Sequence, residues 1–369
     1  MIAQPCTGGN ARGAHRQRYM HAPKCAVFHS PRLCGVITAL IMASIRILGE
    51  GDVRAAIDSD RALELARATL RDQAQGASEL STPSSMALDA TRFGAGRFKF
   101  KAATVGHLGA SGIRLISRRS ATDPEAFNYT AIYRHDGLAL SGLVPELWIS
   151  RIRTAAFGTV TMESLVNPGP LVVALFGTGK IAHELMPMLA RTLTIRELRV
   201  NSRRAESMVA FVAAHAPKVP FPLRAEPDHS RAVDGADLVI TVTDAREPLI
   251  APGTLKAGAV VCSMGGGNEI DYGVLCESER LVVDDPDFAS EVGDGGAWIA
   301  QGHLSRESFT AQIDALTCDV VEGKKKGRVA AADRIIAIVQ GMAIGDVAFA
   351  AYALREAERR GRGKVVELP

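Results

Sequence analysis

The stretch Leu171-Val172-Val173-Ala174-Leu175-Phe176-Gly177-Thr178-Gly179-Lys180-Ile181-Ala182 decides how the rest of the chain is read. Its first six residues are an unbroken apolar run of strand length, as expected for a strand buried on both faces. The pattern Gly177-x-Gly179-x-x-Ala182 follows at once, and Ile181, Leu185 and Leu189 then recur at helical spacing. In this strand–turn–helix setting each small residue has a physical task. The first glycine permits the tight turn, the second lets a pyrophosphate approach bare backbone, and the third small residue lets the helix pack on the strand. Free N–H groups at the helix start, with the positive end of its dipole, face the phosphates. The stretch predicts a Rossmann unit with Gly177, Thr178, Gly179, Lys180 and Ile181 at the cofactor. Pro187 is expected to kink or shorten the helix.

Toward the C-terminus, residues 197–201 form the next strand, and Met208, Phe211 and Val212 mark a helix face. Apolar strands follow at 238–243, 260–264 and 281–283. This alternation of strand and helix predicts a parallel sheet with crossover helices. The second strand ends in Asn201-Ser202-Arg203-Arg204, where an NAD site usually carries an acidic residue for the ribose 2′-hydroxyl. A carboxylate would repel a 2′-phosphate, whereas Asn201, Ser202 and the Arg203 guanidinium can bind one, which favours NADP(H) over NAD. Thr243, Met264 and Gly265 fall at strand ends, where the nicotinamide is expected. The alternation fades after about residue 300, and residues 333–355 read as one long helix with Ile336, Val339, Ala343, Val347 and Ala350 along one side.

Toward the N-terminus the pattern differs. A strand at Ile45 and a helix with Leu63, Ala66 and Leu70 on one face precede strands near 86–88, 98–103, 113–117 and 129–134. A helix over 149–165 leads back to Leu171. This part is α+β with a mostly antiparallel sheet. The expected fold class is α/β: a Rossmann-type parallel sheet domain over 157–304, inserted in a discontinuous α+β substrate-binding and dimerisation domain over 45–156 and 305–360. The returning piece is expected to be the helix from Asp333.

Composition limits the function classes. The chain has 369 residues, 47% hydrophobic, with a formal net charge of +3 and no basic stretch interleaved with aromatics, so no nucleic-acid partner is expected. Cys6, Cys25, Cys34, Cys262, Cys276 and Cys318 have neither C-x-x-C nor zinc spacing, so no metal and no disulfide is expected, as suits a cytoplasmic enzyme. The first 44 residues hold Arg12, Arg16, Arg18, Lys24 and Arg32 but no acidic residue. They read as a disordered, transit-like extension, or as sequence upstream of a true start at Met42. The apolar run 33–45 is too short to span a membrane, and no membrane partner is expected.

Several further strings occur in a telling order: Arg153-Thr154-Ala155-Ala156, the glycine fingerprint, Thr241-Val242-Thr243, Arg246-Glu247-Pro248, Met264-Gly265 and Glu269-Ile270-Asp271, with Gly323 and Gly327-Arg328 near the end. In this the chain resembles the ornithine cyclodeaminase and mu-crystallin family, from about Ile45 to about residue 350. The resemblance implies a homodimer formed through the first domain. It also implies a site between that domain and the Rossmann sheet, and hydride transfer at the Cα of a small amino or imino acid. Arg153 corresponds to the family's carboxylate-binding arginine, with Thr154 beside it near the cofactor. Arg114 stands where the cyclodeaminases carry a lysine. Arginine keeps the charge but is a poor proton donor. Lys101, on the preceding strand, could supply the displaced ammonium; Glu146 and His107 are weaker candidates for proton donor.

Two departures narrow the activity. Ser85 aligns with a family arginine, and Gly266-Gly267-Asn268 stands where the resemblance implies a catalytic aspartate. An amide cannot manage the proton of a second amine as a ring closes. The expectation is an NAD(P)-dependent oxidoreductase acting on C=N or CH–NH bonds, such as a ketimine or imine reductase or an amino-acid dehydrogenase, with Lys101, Arg114 and Arg153 as catalytic residues. The alternatives are an ornithine or lysine cyclodeaminase releasing ammonia, and a weakly catalytic NADP(H)-binding scaffold.

Overall fold

The structure, a computed structural model, describes residues 44–93, 96–118 and 128–368. The expectations for residues 1–44 therefore lie, Ser44 apart, outside the described residues. The first half runs β1 (Ser44–Ile47), α1 (Glu50–Ala56), α2 (Ser59–Ala74), β2 (Ser78–Leu80), β3 (Met86–Asp89), β4 (Arg97–Val105), β5 (Ala110–Arg118), β6 (Tyr129–Arg134), β7 (Leu140–Pro145) and α3 (Leu147–Leu165). It continues with β8 (Leu171–Phe176), α4 (Lys180–Thr192), β9 (Ile195–Asn201), α5 (Ala205–His215), β10 (Leu223–Ala225), α6 (His229–Val233), β11 (Leu238–Thr241), β12 (Val260–Ser263), α7 (Tyr272–Cys276) and β13 (Arg280–Val283). The last part is α8 (Pro286–Ala289), α9 (Gly293–Ala300), α10 (Arg306–Ala311), β14 (Ala315–Leu316), α11 (Thr317–Val321), β15 (Ile335–Ile338), α12 (Ala343–Arg359) and β16 (Lys364–Glu367).

Two sheets result. The parallel sheet has the order β10-β9-β8-β11-β12-β15-β13-β14, which reverses direction of travel at β8 and β11, the switch point of a doubly wound fold. Strands β8, β11, β12 and β15 are buried at every residue, which is why they are apolar throughout rather than alternating. The other sheet has the order β16-β1-β7-β6-β5-β4-β2, with β3 also on β4, and is mainly antiparallel.

The C-terminal third departs from expectation. Residues 333–355 are not one helix: Ile335–Ile338 is β15, inserted between β12 and β13, and only α12 is helical. A short run buried on both faces fits a helical and an extended period equally well, so periodicity misassigned it. Gly341, at φ +88°, then turns the chain in a conformation that side chains rarely adopt. The boundary drawn at 304 also shifts in consequence. Strands β14 and β15 belong to the parallel sheet, and the chain returns to the first sheet only at α12. Helix α4 runs on through Pro187 to Thr192, because fully buried Leu185, Met186, Met188 and Leu189 hold the turns on either side.

The first sheet has one covered face, and its rows place the site. Ala103, Gly112, Ile132 and Gly142 lie side by side across β4, β5, β6 and β7, under α12. A Cβ on Gly112 would sit 2.9 Å from Val347, and one on Gly142 would sit 2.7 Å from Leu354, so these glycines let the helix settle on the sheet. The next row on the same face is Lys101, Arg114, Thr130 and Val144, all buried. That row lies by the first turn of α12, which carries Asp346. Helix α3 is buried on nearly every side and so lacks the polar stripe of a surface helix.

Candidate active site

The phosphate-binding turn is built as a cradle. Gly177 has φ +109°, and a Cβ there would approach the Val242 carbonyl oxygen to 2.6 Å, so the first glycine is needed for the turn itself. A Cβ on Gly179 would meet nothing within 4 Å, so the second glycine leaves open space in front of the helix. Gly179 is the N-cap of α4 and no side chain caps it, so the first-turn N–H groups have no internal acceptor there. These features fit a dinucleotide pyrophosphate at residues 177–181. Gly177 N–H donates to the Asn201 carbonyl (2.9 Å), the Asn201 amide donates to the Glu226 carbonyl (2.7 Å), and the Thr178 hydroxyl donates to Ser202 (3.3 Å). Thus the turn after β8 and the end of β9 are tied together. Arg203, Arg204 and Lys180 are exposed at this rim.

Beneath the expected nicotinamide position, buried carboxyls tie adjacent strand ends. Glu269 accepts hydrogen bonds from Thr243 N–H (2.6 Å), the Thr243 hydroxyl (2.7 Å), the Thr241 hydroxyl (2.9 Å) and Gly265 N–H (3.1 Å). Asp294 accepts from the Ser263 hydroxyl (2.5 Å) and from the N–H groups of Glu269 (2.6 Å) and Ile270 (2.8 Å). Burial, then the neighbouring Asp294 charge, raises Glu269 to about 7, and burial raises Asp294 to about 6. Met264 is buried against α3 at Gly158, where a Cβ would lie 2.4 Å from its methyl carbon. Thr243, Met264 and Gly265 are therefore adjoining parts of one platform.

The three proposed catalytic residues meet on the other side. Arg153 donates from Nε to Asp346 (2.8 Å) and from a terminal nitrogen to the Thr154 hydroxyl (2.6 Å), which in turn donates to the Ser150 carbonyl (2.7 Å). Arg114 donates to the other Asp346 oxygen (3.1 Å), to Glu146 (2.6 Å) and to Ser150 (3.1 Å). Asp346 is fully buried; its burial opposes the charge, but Arg114, Arg153 and Lys101 together hold it below the usual carboxylate range. Burial raises Glu146 despite Arg114. Lys101 makes a different set of contacts. Its ammonium donates to the Gly341 carbonyl (3.0 Å) and lies 3.2 Å from the centre of the Phe288 ring. Burial, followed by repulsion from Arg153, Arg114 and Lys99 that Asp346 only partly offsets, lowers Lys101 to about 7.

The loop between β15 and α12 joins the two sides. Gln340 donates to the Gly265 carbonyl (2.8 Å), and Gly341 N–H donates to buried Asp284 (2.7 Å), which burial raises to about 6. A Cβ on Gly341 would lie 1.5 Å from an Arg153 nitrogen, so the backbone there fits directly against the guanidinium. Asp346, Asp284, Phe288 and Gln340 did not stand out in the sequence. Their only signal was position: each sits just after a strand of the parallel sheet or in the first turn of a helix. His107 lies at the far end of β4, where its ring bonds Asp72 (2.7 Å), apart from the cluster. The Ser85 side chain makes no hydrogen bond among the described residues. Also among the described residues, no group of His, Cys, Asp and Glu is placed to hold a metal ion, and no helix is long and apolar enough to cross a membrane.

Comparison with known proteins gives the family and the fold. A putative dehydrogenase of Rhizobium meliloti is 30% identical over 235 residues, covering 63% of this chain and 70% of its own length. A Delta(1)-pyrroline-2-carboxylate reductase of Burkholderia ambifaria is 35% identical over 179 residues, 46% of this chain and 52% of the relative. Among solved structures, an archaeal alanine dehydrogenase dimer with bound NAD superposes with a TM-score of 0.79 at 20% identity, over 89% of this chain and all of the other. The Thermococcus litoralis Delta(1)-pyrroline-2-carboxylate reductase, in complex with NADH and L-proline, gives 0.77 at 18% identity over 87% and 99%. These two likenesses carry the fold. The sequence model of the ornithine cyclodeaminase/mu-crystallin family matches residues 134–361, from β6 through the fingerprint to the end of α12, and the chain belongs to that family.

Proposed function

We propose that this protein is an NADP(H)-dependent oxidoreductase that reduces a C=N bond next to a carboxylate, or runs the reverse oxidation of the amino acid. The observation that carries this is the Lys101–Arg114–Arg153 cluster around Asp346, linked through Gln340 and Gly341 to the strand ends of a nucleotide-binding sheet. With Lys101 charged, its three cations face the two carboxylates of Asp346 and Glu146. That leaves one positive charge, which suits a substrate with a single carboxylate. Relatives named pyrroline-2-carboxylate reductases support a cyclic imino acid, a ketimine, as substrate.

When bound, the nicotinamide supplies the hydride. The chain's own residues do the rest. Arg153 and Arg114, pinned by Asp346, fix the direction of the substrate carboxylate. Lys101 titrates near neutrality and hands a proton to the nitrogen, or takes it back in oxidation. Phe288 and the 339–342 loop keep this lysine away from bulk water. Ser202, Arg203 and Arg204 support the 2′-phosphate and hence NADP(H). Among the described residues Cys262, Cys276 and Cys318 are free thiols, which supports a reducing compartment such as the cytoplasm, and the face of the first sheet that no described helix covers supports a homodimer.

The cyclodeaminase alternative finds no carboxylate in the loop 264–268 to serve a second amine. The test is NADPH oxidation with a panel of cyclic imines and imines formed from α-keto acids and amines. Activity is expected with at least one, and its loss in Arg153→Ala. Tight NADPH binding with no turnover on the whole panel would leave the scaffold reading in its place.

A further inference from the structure

The carboxyl of Glu269 is buried and bridges the ends of β11 and β12. One oxygen accepts from the N–H and the hydroxyl of Thr243, and the other from the Thr241 hydroxyl and from Gly265 N–H. Backbone rests directly on it: a Cβ on Gly265 would lie 2.4 Å from that second oxygen and 2.3 Å from the Thr243 carbonyl oxygen. All of these partners are neutral, and among the described residues no Lys, Arg or His pairs with this carboxyl. The titratable groups packed on it bring no cation either. Asp294 of α9 is joined to it through the Ser263 hydroxyl, 2.5 Å from Asp294 and 3.4 Å from Glu269. The Cys262 thiol of β12, which feels both Glu269 and Asp284 at the end of β13, is pushed up by burial and stays neutral. Asp244, Arg246 and Glu247, on the loop after β11, are exposed. Lys101 and Arg153 contact Gly341 instead, beside the Gln340 that donates to the Gly265 carbonyl. A buried carboxylate without a cation is costly. This one is bonded to the two residues, Thr243 and Gly265, at which the nicotinamide is expected.

We infer that Glu269 is a positioning residue for the coenzyme: it fixes Thr243 and Gly265 beneath the nicotinamide, and its charge favours the oxidised, cationic ring over the reduced, neutral one. This deepens the proposed function and rests on its placement of the coenzyme. The two coenzyme forms differ by one positive charge, on the ring alone. A carboxylate in a buried setting exerts a stronger field than one in water, so the form that carries the charge gains more from it. The same attraction works in reverse on Glu269. Burial and the Asp294 charge raise it to about 7, so near neutrality part of the protein holds it protonated. A cationic ring favours the ionised carboxyl and lowers that value. Binding of NADP⁺ therefore releases a proton from Glu269 to solvent, and NADP⁺ affinity relative to NADPH rises as pH rises through about 7. A role confined to holding the fold would move both coenzymes together.

Coenzyme binding without substrate tests this. Lys101 also titrates near neutrality, and its charge acts on the ring in the same direction, so calorimetric titrations are made in Lys101→Met. There the ratio of NADP⁺ to NADPH affinity is expected to rise about tenfold between about pH 6 and about pH 8.5. Near pH 7, buffers of different ionisation enthalpy are expected to show more protons released by NADP⁺ than by NADPH; the 2′-phosphate, common to both, cancels in the comparison. Adding Glu269→Gln is expected to abolish both effects and to leave the affinity for adenosine 2′,5′-bisphosphate, which lacks the nicotinamide, unchanged. Proton release is read without the Glu269 substitution, so it decides even where that variant does not fold. An affinity ratio that ignores pH, equal proton release by the two coenzymes, or a pH response that survives Glu269→Gln would overturn the role of Glu269 and leave the proposed reaction standing. Wild-type protein that binds neither coenzyme would overturn the proposed function, and Glu269 with it.

Discussion

At the residue scale, the two glycines of the fingerprint do different things, and the difference can be measured. Gly177 is required by the fold, since its φ is positive and a Cβ would press on the Val242 carbonyl. Gly177→Ala should therefore lower the thermal midpoint of protein without cofactor, at a cost of about 1–3 kcal/mol. Gly179 has room, so Gly179→Val should melt like wild type, yet bind NADPH at least tenfold more weakly in a fluorescence titration, because the branched side chain fills the space meant for the pyrophosphate. A Gly179→Val protein with full affinity would remove the basis for the cofactor site. Lys101 makes a second prediction. Its proton is held to about 7, so the acid form that reduction needs is lost as pH rises. The kcat/KM for imine reduction should fall through that pH, and that for amino-acid oxidation should rise through it. Lys101→Met should remove this ionisation from both profiles and lower kcat about 10²–10⁴-fold. A profile that keeps its break in the variant would assign the titration to another group.

At the scale of elements, the proposed preference for NADP(H) rests on the turn after β9. Arg203 and Arg204 are exposed, and neither forms an ion pair among the described residues, so their charge is available to a 2′-phosphate. Replacing both with Ala should weaken NADPH at least tenfold and leave NADH within a factor of about two, since a charge-assisted contact to phosphate contributes roughly 1.5–3 kcal/mol. Equal loss of both coenzymes in parallel titrations would mean the arginines hold the turn rather than the phosphate. This turn was legible because strand, fingerprint and second strand end have a fixed order in sequence. The Rossmann stretch from Leu171 to Val283 was legible for the same reason: buried parallel strands are apolar runs bounded by turns. What stayed hidden depended on distant chain. β15 looks like part of a helix until β12 and β13 are seen on either side of it. Asp346 reads as an ordinary acidic residue in a helix's first turn until Arg114 and Arg153 are brought to it from 232 and 193 residues away. Lys101 and Arg114 were picked out through the family resemblance, but only strand register shows them side by side.

At the scale of the whole molecule, the antiparallel sheet has a second face that no helix among the described residues covers. On it lie Phe98, Phe100, Leu115, Tyr129, Ala131 and Tyr133, all half-buried, with Ile113 45% exposed in the middle and Met86 and Leu88 more than half exposed on β3. Alternation puts this row opposite the Lys101–Arg114 row, so the sheet that carries these two cations on one side presents an apolar surface on the other. An apolar patch of this extent is unusual on a monomer and is the kind of surface that two copies bury, at about 800 Å² on each. Ile113→Asp would place a charge at its centre, where no partner of opposite sign would meet it in a symmetric pair. The variant is expected to elute as a monomer by size exclusion with light scattering, whereas wild type elutes as a dimer. Strand β5 carries both Ile113 and Arg114, so loosening the free face should also disturb the cation row behind it. Substrate KM should therefore rise in the monomer while NADPH affinity, which depends on the other sheet, stays near wild type. If Ile113→Asp remains dimeric, the copies meet through some other surface. If it becomes monomeric with an unchanged KM, the two faces of the sheet are independent and the dimer serves stability alone.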